Sequence, residues 1–478
     1  MRAQRRRGSK ICIPVLAIAG AGLLATATWP AAASAHGLVG RAYLPVPAWL
    51  FAWAAGAVLV VSFVALARMW SRPRLEHAPE RRLFSVPRLL DPIAGALGLA
   101  AFIAIVVSGI GGSQIPTVNL APTAVFVLFW VGLPVLSAVF GDVFRPINPW
   151  RAFARGTGAL LRRTRFASEP LPYPEWLGRW PAVAGIIAFA WLELVLVSRQ
   201  HPATLAVLAV AYALIQLVGM AFVGIERWST RGDAFAVVFN VFSRLAPVEY
   251  RDGAVWRRPP LSGLTELTPV PGTVALMCAM IGTTTFDGFA NGPVWRAVAP
   301  SIERVFGHLG LGGTAALELT YTIGLALCVL LCVGLYRLGI RGMSYISIRH
   351  PARELAGSFA HSLAPIAFGY LLAHYFSLLV TQGQATAFLI SDPMGTGANI
   401  FGTAGARIDY GLVSAALIWY VQVAALVGGH VSGLALAHDR ALVVYGDADD
   451  AAASQRWMLV VMVTFTCLGL WLLSAVNT

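Results

Sequence analysis

The sequence predicts an all-α polytopic integral membrane protein, a bundle of about ten transmembrane helices that follows a cleavable signal peptide. Three observations lead to this fold class. Of the 478 residues, 58% are hydrophobic and only 12% are charged, with a mean hydropathy of +0.71. That is about half the charged share of a water-soluble domain. Apolar runs recur along the chain at close to the roughly 20 residues that cross a bilayer. The net charge of +13 sits mainly on arginines in short segments between those runs. This pattern fits cytoplasmic loops facing anionic lipid, and it argues against a nucleic-acid partner.

Residues 1–35 read as the signal peptide. Arg2, Arg5, Arg6, Arg7 and Lys10 form a positive n-region, Ile11 to Thr28 an apolar core, and Ala33-Ser34-Ala35 a small-residue cleavage site. Cleavage there makes His36 the mature N-terminus, and residues 36–478 form one transmembrane domain. The predicted spans are Trp49–Leu66, Pro92–Ile110, Thr123–Phe140, Pro181–Val197, Thr204–Val223, Pro271–Phe286, Thr314–Leu335, Phe359–Val380, Tyr410–Leu436 and Trp457–Leu473. With both mature termini outside, 25 arginines fall in inner segments and 5 in outer ones, as the positive-inside rule requires. Removing one span inverts every later loop and destroys the bias.

Two segments call for special readings. The sixth run is short, threonine-rich and ends at Asp287, so it reads as a broken or re-entrant helix. The long segment from Glu226 to Val270 contains Phe235–Phe242, an apolar stretch read as lying on the membrane surface. A short echo links Phe140-Gly-Asp-Val-Phe-Arg145 with Phe239-Asn-Val-Phe-Ser-Arg244, each after an outside-to-inside span. Cys278, Cys328, Cys332 and Cys467 all fall in apolar runs and read as packing residues.

Ionisable groups inside a membrane are costly and mark function by default. Glu193, Glu318 and His374 are set into apolar runs, with Asp287 and Asp409 at run ends and Asp392 in the outer loop between the eighth and ninth spans. The topology puts all six near the outer face, on the side that carries His36. One histidine among several carboxylates suits a hard or borderline divalent metal ion, and an N-terminal histidine offers a chelate that suits copper. The assigned metal ligands are therefore Glu193, Glu318, His374, Asp409 and His36, with Asp287 or Asp392 left as a catalytic base. A second polar layer, His361, His430, His438 and Asp439, lies toward the inner face and reads first as neutral side chains bonding neighbouring helices. Gly429-His-Val-Ser-Gly433 reads as a helix-packing motif. Tyr370, Tyr420 and Gln422 either line a cavity or bond across helices. The chain contains no phosphate-binding loop, dinucleotide fingerprint, HExxH or nucleophile elbow.

Several segments together resemble a family of bacterial polytopic membrane proteins called fenitrothion hydrolases. They are His36-Gly-Leu-Val-Gly-Arg41, Phe140-Gly-Asp-Val-Phe-Arg-Pro-Ile-Asn-Pro-Trp150, Phe286-Asp-Gly288, Ala373-His-Tyr375, Gln382-Gly-Gln384, Ser391-Asp-Pro393, Ile408-Asp-Tyr410 and the run from Gly429 to Arg440. The resemblance implies a multi-pass protein of the bacterial cytoplasmic membrane that hydrolyses an organophosphorus triester. Metal-activated water at the outer cluster is one reading of the residues. The other is transport of a metal ion or protons, with the outer acids as entry and the inner histidines as exit. The partners implied are the lipid bilayer and a small-molecule or ion substrate; in the hydrolase reading an apolar ester reaches the site through the lipid.

Overall fold

In hydrocarbon every backbone N–H must be satisfied within the chain, so an apolar run of span length becomes a helix. The computed structural model describes residues 48–76, 78–161, 169–346 and 350–476. The predicted signal peptide and His36 lie outside the described residues. Most of each predicted run falls on a helix: α1 (Ala48–Met69), α2 (Leu90–Gly111), α3 (Leu120–Phe140), α4 (Trp180–Leu194), α5 (Pro202–Val223), α6 (Thr273–Ala290), α7 (Gly313–Ile346), α8 (Leu363–Gln382), α9 (Ala415–Tyr445) and α10 (Arg456–Val476). Eight are long and apolar enough to cross a membrane. A ninth span forms if α10 is joined to the short helix Ala448–Ser454, from which it is bent by 41°. The apolar part of α1 within the described residues, Trp53–Met69, is shorter. The chain is thus an all-α, multi-pass helical bundle.

The expectation of a broken sixth span is wrong. Helix α6 runs unbroken through 18 residues and is the most enclosed span, with 72% of its apolar window buried. Its threonines do not interrupt it, because Thr283 and Thr284 donate back to Met280 O and Thr285 to Ile281 O. The polar composition reflects a central position, where small hydroxyl residues allow close approach. A Cβ on Gly282 would stand 2.6 Å from Val329 Cα of α7. Helices α8 and α9 cross as closely, since a Cβ on Gly429 would lie 2.6 Å from Pro365 O.

The stretch Phe235–Phe242 does not lie on the surface. It forms the helix Ala234–Ser243, with Phe235, Phe239 and Phe242 all buried. Phe235 and Phe239 pack edge-on against Phe129 of α3, and Phe239 also against Phe144. The helix begins at Asp233, whose side chain caps Ala236 N and accepts from Asn148 Nδ2, Trp150 Nε1 and Tyr212 Oη. Four donors on one buried carboxylate tie this helix to α5 and to the segment after α3. The two echoing segments meet directly, through Asn240 Nδ2 donating to Asp142 Oδ2 at 2.9 Å.

Segments rich in arginine gather at one end of the bundle. A small antiparallel sheet of order β1-β3-β2 joins β1 (Arg81–Ser85) to the hairpin β2 (Val248–Arg251) and β3 (Ala254–Arg257), an element the sequence pattern did not predict. Arg251 pairs with Glu80, and Glu226 gathers Arg145, Arg151 and Arg155. Burial opposes ionisation of Glu226, but the arginines, Arg151 foremost, outweigh it and hold the carboxyl below its usual range. The predicted inner segments therefore meet one another. At the opposite end, Ser113 bonds Met394 and Gln384 bonds Asp409, joining predicted outer segments.

Candidate functional site: a carboxylate–imidazole–phenol cluster

Helix α6 carries Asp287 three residues before its end, and the adjacent His374 and Tyr375 of α8 face it. A single oxygen, Asp287 Oδ2, bonds His374 Nε2 at 2.8 Å and accepts from Tyr375 Oη at 2.8 Å. The imidazole and the phenol ring stand edge to face at 4.7 Å. Glu193 of α4 completes the cluster, interacting with the Tyr375 hydroxyl and repelled by Asp287. Arg199, just beyond α4, lends positive potential to both carboxylates. From α3, the buried Trp130 indole nitrogen lies near the Tyr375 hydroxyl and has no hydrogen-bond partner among the described residues. The turn holding Trp130 belongs to a π-helical stretch, Thr123–Gly132, a widened form found often at functional sites.

The other ring nitrogen of His374, Nδ1, lies toward Gly288; a Cβ there would stand 3.8 Å from it. His374 and Gly288 line a cavity of about 120 Å³, whose polar walls are Thr284, Thr285, Ser377, Gln422 and Tyr370. Tyr370 also packs at 5.8 Å against the ring of His430, which bonds Leu426 O through Nδ1 at 2.8 Å. The buried His430 Nε2 has no hydrogen-bond partner among the described residues.

The remaining predicted residues are placed elsewhere. Glu318 accepts from Val197 N at 3.1 Å and so fastens the segment after α4. Among the described residues it makes no hydrogen bond to the Asp287 cluster. Asp409 is exposed and closes a turn by accepting from Gly411 N. Asp392 binds its own loop through Thr396 N and Gly397 N. Slight burial raises its pKa, but the backbone N–H groups of Thr396, Gly397, Ala398 and Gly395 outweigh this and hold the carboxyl below its ordinary range. Asp392 is therefore a loop clasp, bonded to its own backbone. In the inner layer, Asp439 accepts from Trp70 Nε1 and from the backbone N–H groups of Arg74, Leu75 and Glu76. His438 Nε2 bonds Trp70 O, so both residues pin the segment after α1. His361 is buried at the start of α8.

Among the described residues no three His, Cys, Asp or Glu side chains are grouped so as to hold a metal ion. The imidazole nitrogen nearest the carboxylates is already engaged by Asp287. Sequence reading found Glu193, Asp287 and His374 but missed Tyr375 and Trp130. The signal for Tyr375 is its place directly after an intramembrane histidine; Trp130 had none, as a tryptophan in an apolar run looks like packing.

The fold and this site together define a multi-pass helical membrane protein with an ionisable cluster partly buried in its bundle. No family model, curated protein or solved structure matches the chain.

Proposed function

We propose that this protein is a membrane transporter that moves protons, in which Glu193, Tyr375, Asp287 and His374 form the proton-exchanging unit. The observation that carries this reading is the shared Asp287 Oδ2 atom, which links imidazole and phenol inside an apolar bundle. Carboxylate and histidine chains in spans are the usual means of moving protons across hydrocarbon. Imidazole suits the work, since it can accept a proton at one nitrogen and release another from the other. A proton taken from Asp287 at Nε2 leaves the ring at Nδ1, on the cavity side. Water there continues the path past Gln422 toward His430. The acidic end belongs to the predicted outer face, in a bacterial cytoplasmic membrane.

Cavity size favours this reading over ester hydrolysis. About 120 Å³ has room for several waters, whereas pockets for drug-sized ligands run to roughly 300–1,000 Å³. The hydrolase reading keeps one supporting feature: the Asp287–His374 pair orients an imidazole that can act as general base on a cavity water. Reconstitution into liposomes with a trapped pH dye separates the two. Proton flux under an imposed potential, lost in His374→Ala without any turnover of an aryl phosphotriester, supports transport. Triester turnover that is lost in the same variant, with no flux in the wild type, rejects it.

A further inference from the structure

We infer that the groove between α4, α6, α7 and the short helix Ala352–Phe359 binds an anionic phospholipid. The groove has a volume of about 830 Å³, within the range of ligand-sized sites. Its walls are apolar, built from Val183 and Ile187 of α4 and Val329, Val333 and Ile340 of α7. Three arginines also line it: Arg337 and Arg341, one helical turn apart on α7, and Arg353 at the start of the next helix. All three are exposed, and none makes an ion pair among the described residues. Glu354, the adjacent acid, is exposed and pairs with none of them.

Chemistry and position select the occupant together. A soluble polyanion would satisfy the arginines but not the apolar walls, and a neutral lipid the reverse. Arg337 and Arg341 stand on a span long enough to cross the bilayer, toward the end where the arginine-rich segments gather. Basic pockets between helices on that side suit phosphate headgroups, and the planar guanidinium fork matches phosphate oxygens two at a time. Half-exposed Trp180 lines the groove at the start of α4, the interfacial position tryptophan favours. The acyl chains would lie along the apolar walls and the phosphate among the arginines.

The test is native mass spectrometry of the full-length, delipidated protein titrated with phosphatidylglycerol and, separately, phosphatidylcholine. Phosphatidylglycerol should bind preferentially, and R337Q/R341Q/R353Q should weaken it roughly a hundredfold, about fivefold per arginine. The corresponding triple lysine variant should retain most of the binding, and glycerol phosphate without acyl chains should not compete. Equal binding of the two lipids, or undiminished binding by the triple glutamine variant, would overturn the assignment. Should that variant not fold, the wild type decides: phosphatidylglycerol affinity that does not fall with added salt overturns it equally.

Discussion

Replacing Tyr375 with phenylalanine removes one oxygen and little else. The ring still fits edge-on against His374 at 4.7 Å, and Asp287 keeps its 2.8 Å bond to that imidazole. What disappears is the hydroxyl that donates to Asp287 Oδ2 at 2.8 Å and interacts with Glu193. A hydrogen bond to an ionised acceptor contributes about 1.5–3 kcal/mol, and 1.4 kcal/mol is tenfold. If the phenol stabilises the charged state through which protons pass, Tyr375→Phe should slow proton flux by roughly ten- to a hundredfold. The assay is dye-reported proton uptake by proteoliposomes under a fixed potential, with size-exclusion profiles matched to the wild type. Flux unchanged within about twofold in a well-folded variant would refute the relay through Tyr375, since at least ~1.4 kcal/mol should be felt.

Three further outcomes follow from the packing. Asp439→Ala strands the buried Leu75 N–H and the part-buried N–H groups of Arg74 and Glu76, so it should cost about 1–3 kcal/mol, most of it at Leu75, read as a lower thermal midpoint in detergent. Gly429→Ala forces a methyl group to 2.6 Å from Pro365 O and should destabilise the α8–α9 crossing by about 1–3 kcal/mol; a midpoint equal to the wild type would contradict the close crossing. Asp392 has a lowered pKa in the folded loop, so its contribution is present above the unfolded value near 3.9 and is lost as pH falls through the folded one. Amide exchange at Thr396 and Gly397 should accelerate only in acid, and equal protection at neutral and strongly acidic pH would argue against the clasp.

The spans were legible because hydrocarbon leaves few choices: each apolar run became a helix, and the arginine-rich segments met at one end. Misreadings arose where burial inside the protein replaced burial in lipid. Helix α6 looked too polar to span, yet its threonines bond their own backbone at the centre of the bundle. Phe235–Phe242 looked interfacial because a short apolar run has no signature that separates a membrane surface from a protein core. The sheet joins β1 to a hairpin far along the chain, a pairing that no local pattern specifies. At the site, depth along each helix was readable but rotation was not. Glu193 and Glu318 sit similarly in their runs, and only the turn of α7 sends Glu318 to Val197 instead of Asp287.

The most direct test of the account is proton flux through the Asp287→Asn variant beside the wild type. Asparagine keeps the shape of the side chain at 287 but cannot carry the charge that His374 and Tyr375 address. The account predicts measurable, potential-driven proton uptake by wild-type proteoliposomes and its loss in the variant, with the fold preserved. Equal uptake by the two proteins would contradict it.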